Sequence, residues 1–89
     1  MNELNKQLQA ILNSINRFHN QELDVQGIQQ NLAASAPAIS GDVPKEIVDA
    51  IENAEEKIEE IIFTVNSDEQ FAEVIKLLDK LQKKIAEKF

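Results

Sequence analysis

Apolar side chains recur along this chain at steps of three and four, and no stretch alternates apolar with polar residues as a strand would. Leu4, Leu8, Ile11, Leu12, Ile15 and Phe18 fill an arc of about 120° at 100° per residue, the stripe of a helix with one face on a core. The spacing predicts a first helix over residues 2–19. A second starts after Asp24, whose carboxylate can accept from the free N–H groups of a first turn, with Leu23 and Ile28 placed as a hydrophobic staple. Val25, Ile28 and Leu32 share its inner face, and Gly27 weakens it by about 1 kcal/mol relative to alanine. Pro37 is expected to end it, since its ring disfavours helical geometry at Ala36 and it has no N–H to donate, so the prediction is 25–35.

The third helix is predicted over 43–65, with Asp42 as N-cap and Pro44 in the first turn, on a stripe of Ile47, Val48, Ile51, Ala54, Ile58, Ile61, Ile62 and Val65. Glu55 intrudes on that stripe and is expected to pair with a lysine at its edge. Ser67 and Gln70 then have the spacing of a capping box, and a fourth helix follows over 68–88 through Phe71, Val74, Ile75, Leu77, Leu78, Leu81 and Ile85. The turn between helices 3 and 4 is too short for anything but an antiparallel hairpin. The expected fold class is all-α: one domain, residues 1–89, forming a small antiparallel bundle of four helices.

With 89 residues, such a domain buries only about 60–65% of the surface its unfolded chain exposes. It has no cysteine, so neither a disulfide nor a thiolate zinc site can support it. The N-terminal residues lack the basic-then-apolar pattern of a leader, and no apolar run approaches the ~18 residues of a membrane span, which implies a cytoplasmic protein. A formal charge of −7 repels phosphate backbones and anionic lipids, arguing against nucleic-acid and membrane partners.

Catalytic parts are scarce. One histidine cannot supply the paired Glu-x-x-His ligands of a carboxylate-bridged metal bundle, and no glycine-rich phosphate loop, nucleophile triad or His-Glu-x-x-His occurs. The expectation is a chain with no catalytic residue, no cofactor and no metal, and so no enzyme. His19 would be a pH-sensitive switch at the end of helix 1 or, more economically, a cap on free carbonyls at the core edge.

The placement of the charge is more informative than its sum. Residues 44–65 carry 2 basic and 7 acidic side chains, whereas residues 66–89 carry 5 of each. On a helical projection Asp49, Glu52, Glu56, Glu59 and Glu60 form one outward stripe, and Phe63 falls at the same azimuth. Like charges at these spacings destabilise a helix, so stability alone does not account for the stripe. An aromatic ringed by charge is typical of protein-binding surfaces. Two blander readings stand beside this one: the lysines of helix 4 could neutralise the stripe across the hairpin, and Phe63 could be covered by helix 1 or 2 or lie in a loosened last turn.

The run Ile11-Leu12-x-x-Ile15-x-x-Phe18, a polar turn, Leu23-Asp24-Val25-x-x-Ile28-x-x-x-Leu32, and a long acidic helix containing Ile58-Glu59-x-Ile61 resembles the small acidic all-helical immunity proteins of bacterial polymorphic-toxin and contact-dependent inhibition systems, over roughly residues 8–85. That resemblance implies a cytoplasmic, non-catalytic protein that blocks the active site of a cognate toxin domain. The acidic face would then occupy a basic cleft, such as that of a nuclease, with carboxylates where phosphates would lie. The alternative is a structural homo-oligomer, a homodimer at simplest, or a secretion-partner module associating through helix 4. There Phe71, Val74, Leu78, Leu81 and Ile85 keep a and d spacing for about two heptads.

Overall fold

A computed structural model of the chain describes residues 6–88, which form four α-helices: α1 (Lys6–His19), α2 (Val25–Ile39), α3 (Lys45–Thr64) and α4 (Ser67–Lys88). The first turn expected for helix 1, with Leu4, lies outside the described residues. Each helix packs on the next, and α1 closes the ring against α4. Short connections over 20–24, 40–44 and 65–66 turn each helix back along the one before it. Ser14 meets Asn31 between α1 and α2, Gln29 meets Glu55 between α2 and α3, and Glu46 at the start of α3 meets Lys88 at the end of α4, as an antiparallel hairpin requires. The result is an all-α, up-down-up-down bundle, as the periodicity predicts.

The core is built from the expected stripes turned inward, joined by Ala36 and Ile39, which the sequence reading places in the connection after helix 2, while Leu12, Val25, Ile61, Ile62, Ile75 and Leu77 are only partly buried at its margin. Leu8, Ile11, Ile15 and Phe18 of α1, Ile28, Leu32, Ala36 and Ile39 of α2, Ile47, Val48, Ile51, Ala54 and Ile58 of α3, and Val74, Leu78, Leu81 and Ile85 of α4 form one buried cluster. Each large side chain among them contributes about 1.5–3 kcal/mol through removal from water. The Phe18 ring stacks on that of Phe71 with centroids 4.9 Å apart, tying α1 to the first turns of α4. No buried polar side chain is left without a partner among the described residues.

Helix boundaries depart from expectation at three places, each for a physical reason. Pro37 does not end α2, which runs on to Ile39. Proline costs the helix the bond to the Ala33 carbonyl, but Ala33 and Pro37 both face water, which can satisfy that carbonyl, while Ala36 and Ile39 on the opposite side are buried. Asp42 is not the N-cap of α3. Residues 40–43 close into a tight turn in which the Asp42 amide donates to the Ile39 carbonyl and Gly41 takes a φ of 94°, so the cap falls on Pro44, with no side-chain cap bond. The capping box does not form either: Asn66 receives the first amide bonds of α4 through its carbonyl, and Gln70 turns the other way. Its amide donates to the carbonyls of Ile62 (3.3 Å) and Val65 (2.9 Å), two free acceptors at the end of α3.

At Asp24 the expected cap is present, its carboxylate accepting from the Gly27 amide at 2.7 Å. A Cβ on Gly27 would lie 2.9 Å from that carboxylate oxygen and 2.9 Å from Leu23. The helix-weakening glycine is therefore what lets the cap and the half-buried Leu23 close over the first turn.

Candidate functional site

α3 continues as a regular helix through Phe63, which is 80% exposed, so neither a loosened turn nor a neighbouring helix covers the ring. Among the described residues it is the one large apolar side chain left in water. Asp49, Glu52, Glu56, Glu59 and Glu60 are all exposed on the same helix. A rise of about 1.5 Å per residue places Phe63 about 6 Å beyond Glu59, about 10 Å beyond Glu56 and about 16 Å beyond Glu52. The ring thus terminates the stripe. The projection, which collapses the helix axis, had put it in the middle.

The five acids do not share one environment. Asp49 lines a furrow between α3 and α4 with Glu46, Lys57, Lys80 and Lys84, and Glu60 lines its continuation with Lys57, Thr64 and Val65. Glu52 stands on the other flank, near the turn at Gly41 and Val43. Glu52, Glu56 and Glu59 project away from α4, on the side where α3 adjoins α2. Across Val25–Ile39 α2 carries no charged residue, and the cation on this flank is Lys45 at the start of α3, which lines the same hollow as Glu52 and Asp49 without forming an ion pair among the described residues.

Ion pairing follows this geometry. The one α4 lysine that reaches an acid of α3 is Lys88, whose ammonium lies 2.8 Å from Glu46, outside the stripe. That contact, through its hydrogen bond and its charge, holds the Glu46 carboxyl below the usual carboxylate range, with a smaller contribution from the charge of Lys84. None of the five stripe acids is in an ion pair among the described residues. Neighbouring carboxylates stand three and four residues apart, within the ~8 Å over which salt at physiological strength screens charge. Each such pair opposes the helix by a few tenths of a kcal/mol.

Glu55 takes no lysine. It accepts from the Gln29 amide of α2, because the helix it faces offers glutamines and no cation. His19 meets Asp79 of α4, with Nε2 3.1 Å from Oδ1, linking the end of α1 to α4 through exposed side chains. The residues expected at a and d positions of α4, namely Val74, Leu78, Leu81 and Ile85, are buried in the chain's own core, and Phe71 is stacked on Phe18. That seam is already used by the fold.

Two features escaped the sequence reading. The furrow has a floor of Ala50, Ala54, Leu77 and Leu81, and its signal was the pair of alanines four apart on α3 facing the unusually wide apolar arc of α4. An open pocket of about 830 Å³ lies at the α1–α2 turn, lined by Phe18, Leu23, Val25 and Phe71. Gln21, which also lines it, takes a left-handed backbone, φ 62°, that no pattern in the sequence announces. Among the described residues no group of three or more His, Asp or Glu is arranged to hold a metal ion, and no helix is long and apolar enough to cross a membrane.

Fold and surface together define a small acidic helical bundle with an exposed carboxylate strip that forms no ion pair among the described residues and ends in an exposed aromatic ring. No protein-family model matches the chain, and no curated protein or solved structure is significantly similar to it.

Proposed function

We propose that the chain is a non-enzymatic, cytoplasmic binding protein of the immunity type, which blocks a cognate bacterial toxin by laying the outer face of α3 into a basic cleft. The observation that carries this reading is the strip Glu52, Glu56 and Glu59, exposed, in no ion pair among the described residues and terminated by the exposed Phe63 ring. Carboxylates one helical turn apart present negative charge where a nuclease would hold phosphates, and Phe63 supplies the apolar anchor that such interfaces place among charges. The strip steers association, and the ring slows dissociation once seated.

The test is protection of cells against the toxic product of the neighbouring gene, where an immunity protein is expected to have its toxin. The variant Glu52→Lys/Glu56→Lys/Glu59→Lys should fold normally and lose protection, mainly through a slower, salt-insensitive on-rate. Phe63→Ser should lose affinity through a faster off-rate. Unchanged protection by the folded triple variant would remove the α3 face from the mechanism.

A further inference from the structure

The furrow between α3 and α4 has a mainly acidic bank, interrupted by Lys57, facing a basic one. Glu46 and Asp49, with Glu60 further along, stand on the α3 bank, and Lys80 and Lys84 on the α4 bank, above the apolar floor of Ala50, Ala54, Leu77 and Leu81. The furrow continues past Lys57 and Leu77 to Ile61 and Val65, nearly the whole length of the hairpin. Asp49, Lys80 and Lys84 are exposed and join no ion pair among the described residues. The unpaired furrow charges thus include Asp49 on one bank and Lys80 and Lys84 on the other, Glu46 being held by Lys88, and the complement of each bank is the other bank of the same molecule.

We infer that a second copy of this chain docks on the furrow, about a two-fold axis running along it. A rotation about that axis sets α3 of one copy over α4 of the other, acid bank on lysine bank, twice. An axis across the furrow would set α3 on α3 and α4 on α4, like charge on like, so the charge distribution selects between them. The register agrees. Glu46 lies level with Lys88 and Ile62 level with Gln70, which puts Asp49 level with Ile85 and Asn53 with Leu81. A two-fold along the furrow preserves these levels, bringing Asp49 of each copy over Lys84 of its mate and Asn53 over Lys80.

The size of the face sets the strength. Two helices about 30 Å long side by side present on the order of 600 Å² per copy, at the lower limit of specific interfaces. The dimer is accordingly weak and charge-dependent. It does not rest on the toxin-binding reading, since Glu52, Glu56, Glu59 and Phe63 line neither stretch of the furrow and stay open in the pair.

The experiment is sedimentation equilibrium of the full chain, wild type and two surface variants, with helix content checked by circular dichroism. Wild type should dimerise with a dissociation constant in the micromolar range and weaken at least about fivefold when salt rises from about 0.05 to 0.5 M. Asp49→Lys/Asn53→Lys and Lys80→Glu/Lys84→Glu should each be monomeric alone, because each sets like charge on like. Mixed one to one, they should pair with each other. Wild type that stays monomeric at about 1 mM, association that tightens with salt, variants that dimerise as wild type does, or a mixture that fails to pair would each overturn the inference. Protection against a toxin reads none of these quantities, so the two proposals fail separately.

Discussion

α3 and α4 are antiparallel neighbours of 20 and 22 residues, alike inside and opposite outside. Inward, each contributes a run of fully or nearly fully buried aliphatics. Outward, α4 mixes its signs and pairs Lys76 with Glu73 at 3.1 Å within its own helix, whereas α3 leaves its stripe acids unpaired and ends in a bare phenylalanine. Over its whole length α4 balances 5 acidic against 5 basic side chains, and its unpaired Lys80 and Lys84 lie along the furrow. The outer face of α3 accepts like-charge repulsion and an exposed ring that the fold does not need, and an unneeded cost on a surface points to a partner.

The sharpest break between the two kinds of surface is expected at the phenylalanines. Phe18 is fully buried and stacked on Phe71, so Phe18→Ala should cost about 3–5 kcal/mol, read from the denaturant midpoint. Phe63→Ser should change stability by no more than about 0.5 kcal/mol, since its ring touches no core. A comparable loss at Phe63 would mean that the ring serves the fold, and the contrast between the faces would collapse. An intermediate effect is expected at the hairpin turn. Gln70→Ala removes both donations to the Ile62 and Val65 carbonyls and should cost about 1 kcal/mol by the same measurement, whereas Ser67→Ala, which removes no bond of the expected capping box, should cost less.

How much of this was legible in the sequence follows from what each feature depends on. The inner stripes were readable apart from Ala36 and Ile39, which lay beyond the predicted end of α2, because helical periodicity places side chains on a face whatever lies opposite. Ile47, Ile51 and Ile58 are buried as their spacing requires. Boundaries were less readable, because they depend on competition between local chemistry and packing. Pro37 argued for a stop, and burial of Ile39 outweighed it. Gln70 argued for a box, and the free carbonyls of α3, distant in pattern but near in space, took its amide instead. The acidic stripe was visible as an azimuth, but its partition between the α4 and α2 flanks needed the positions of both neighbours. So did the partner of Glu55, which was expected to be a lysine and is Gln29.

The smallest expected effect concerns the single cross-hairpin ion pair. Glu46 is held below its ordinary value of 4.5 by the Lys88 ammonium, so it binds its proton less readily in the folded chain than in the unfolded one. A carboxyl lowered in this way adds stability that is fully present above its unfolded pKa and is lost as pH falls through the folded value. The Tm difference between wild type and Glu46→Gln should therefore be small and constant near neutrality and should shrink below about pH 4.5, vanishing in stronger acid. In a Lys88→Gln background the Glu46→Gln change should have almost no effect at any pH, and Lys84→Gln should reduce it only slightly, in keeping with the order of the two lysines' influence. A difference that survives in the Lys88→Gln background would assign the depressed pKa to some other group, and α3 and α4 would then meet through their apolar faces and Gln70 alone.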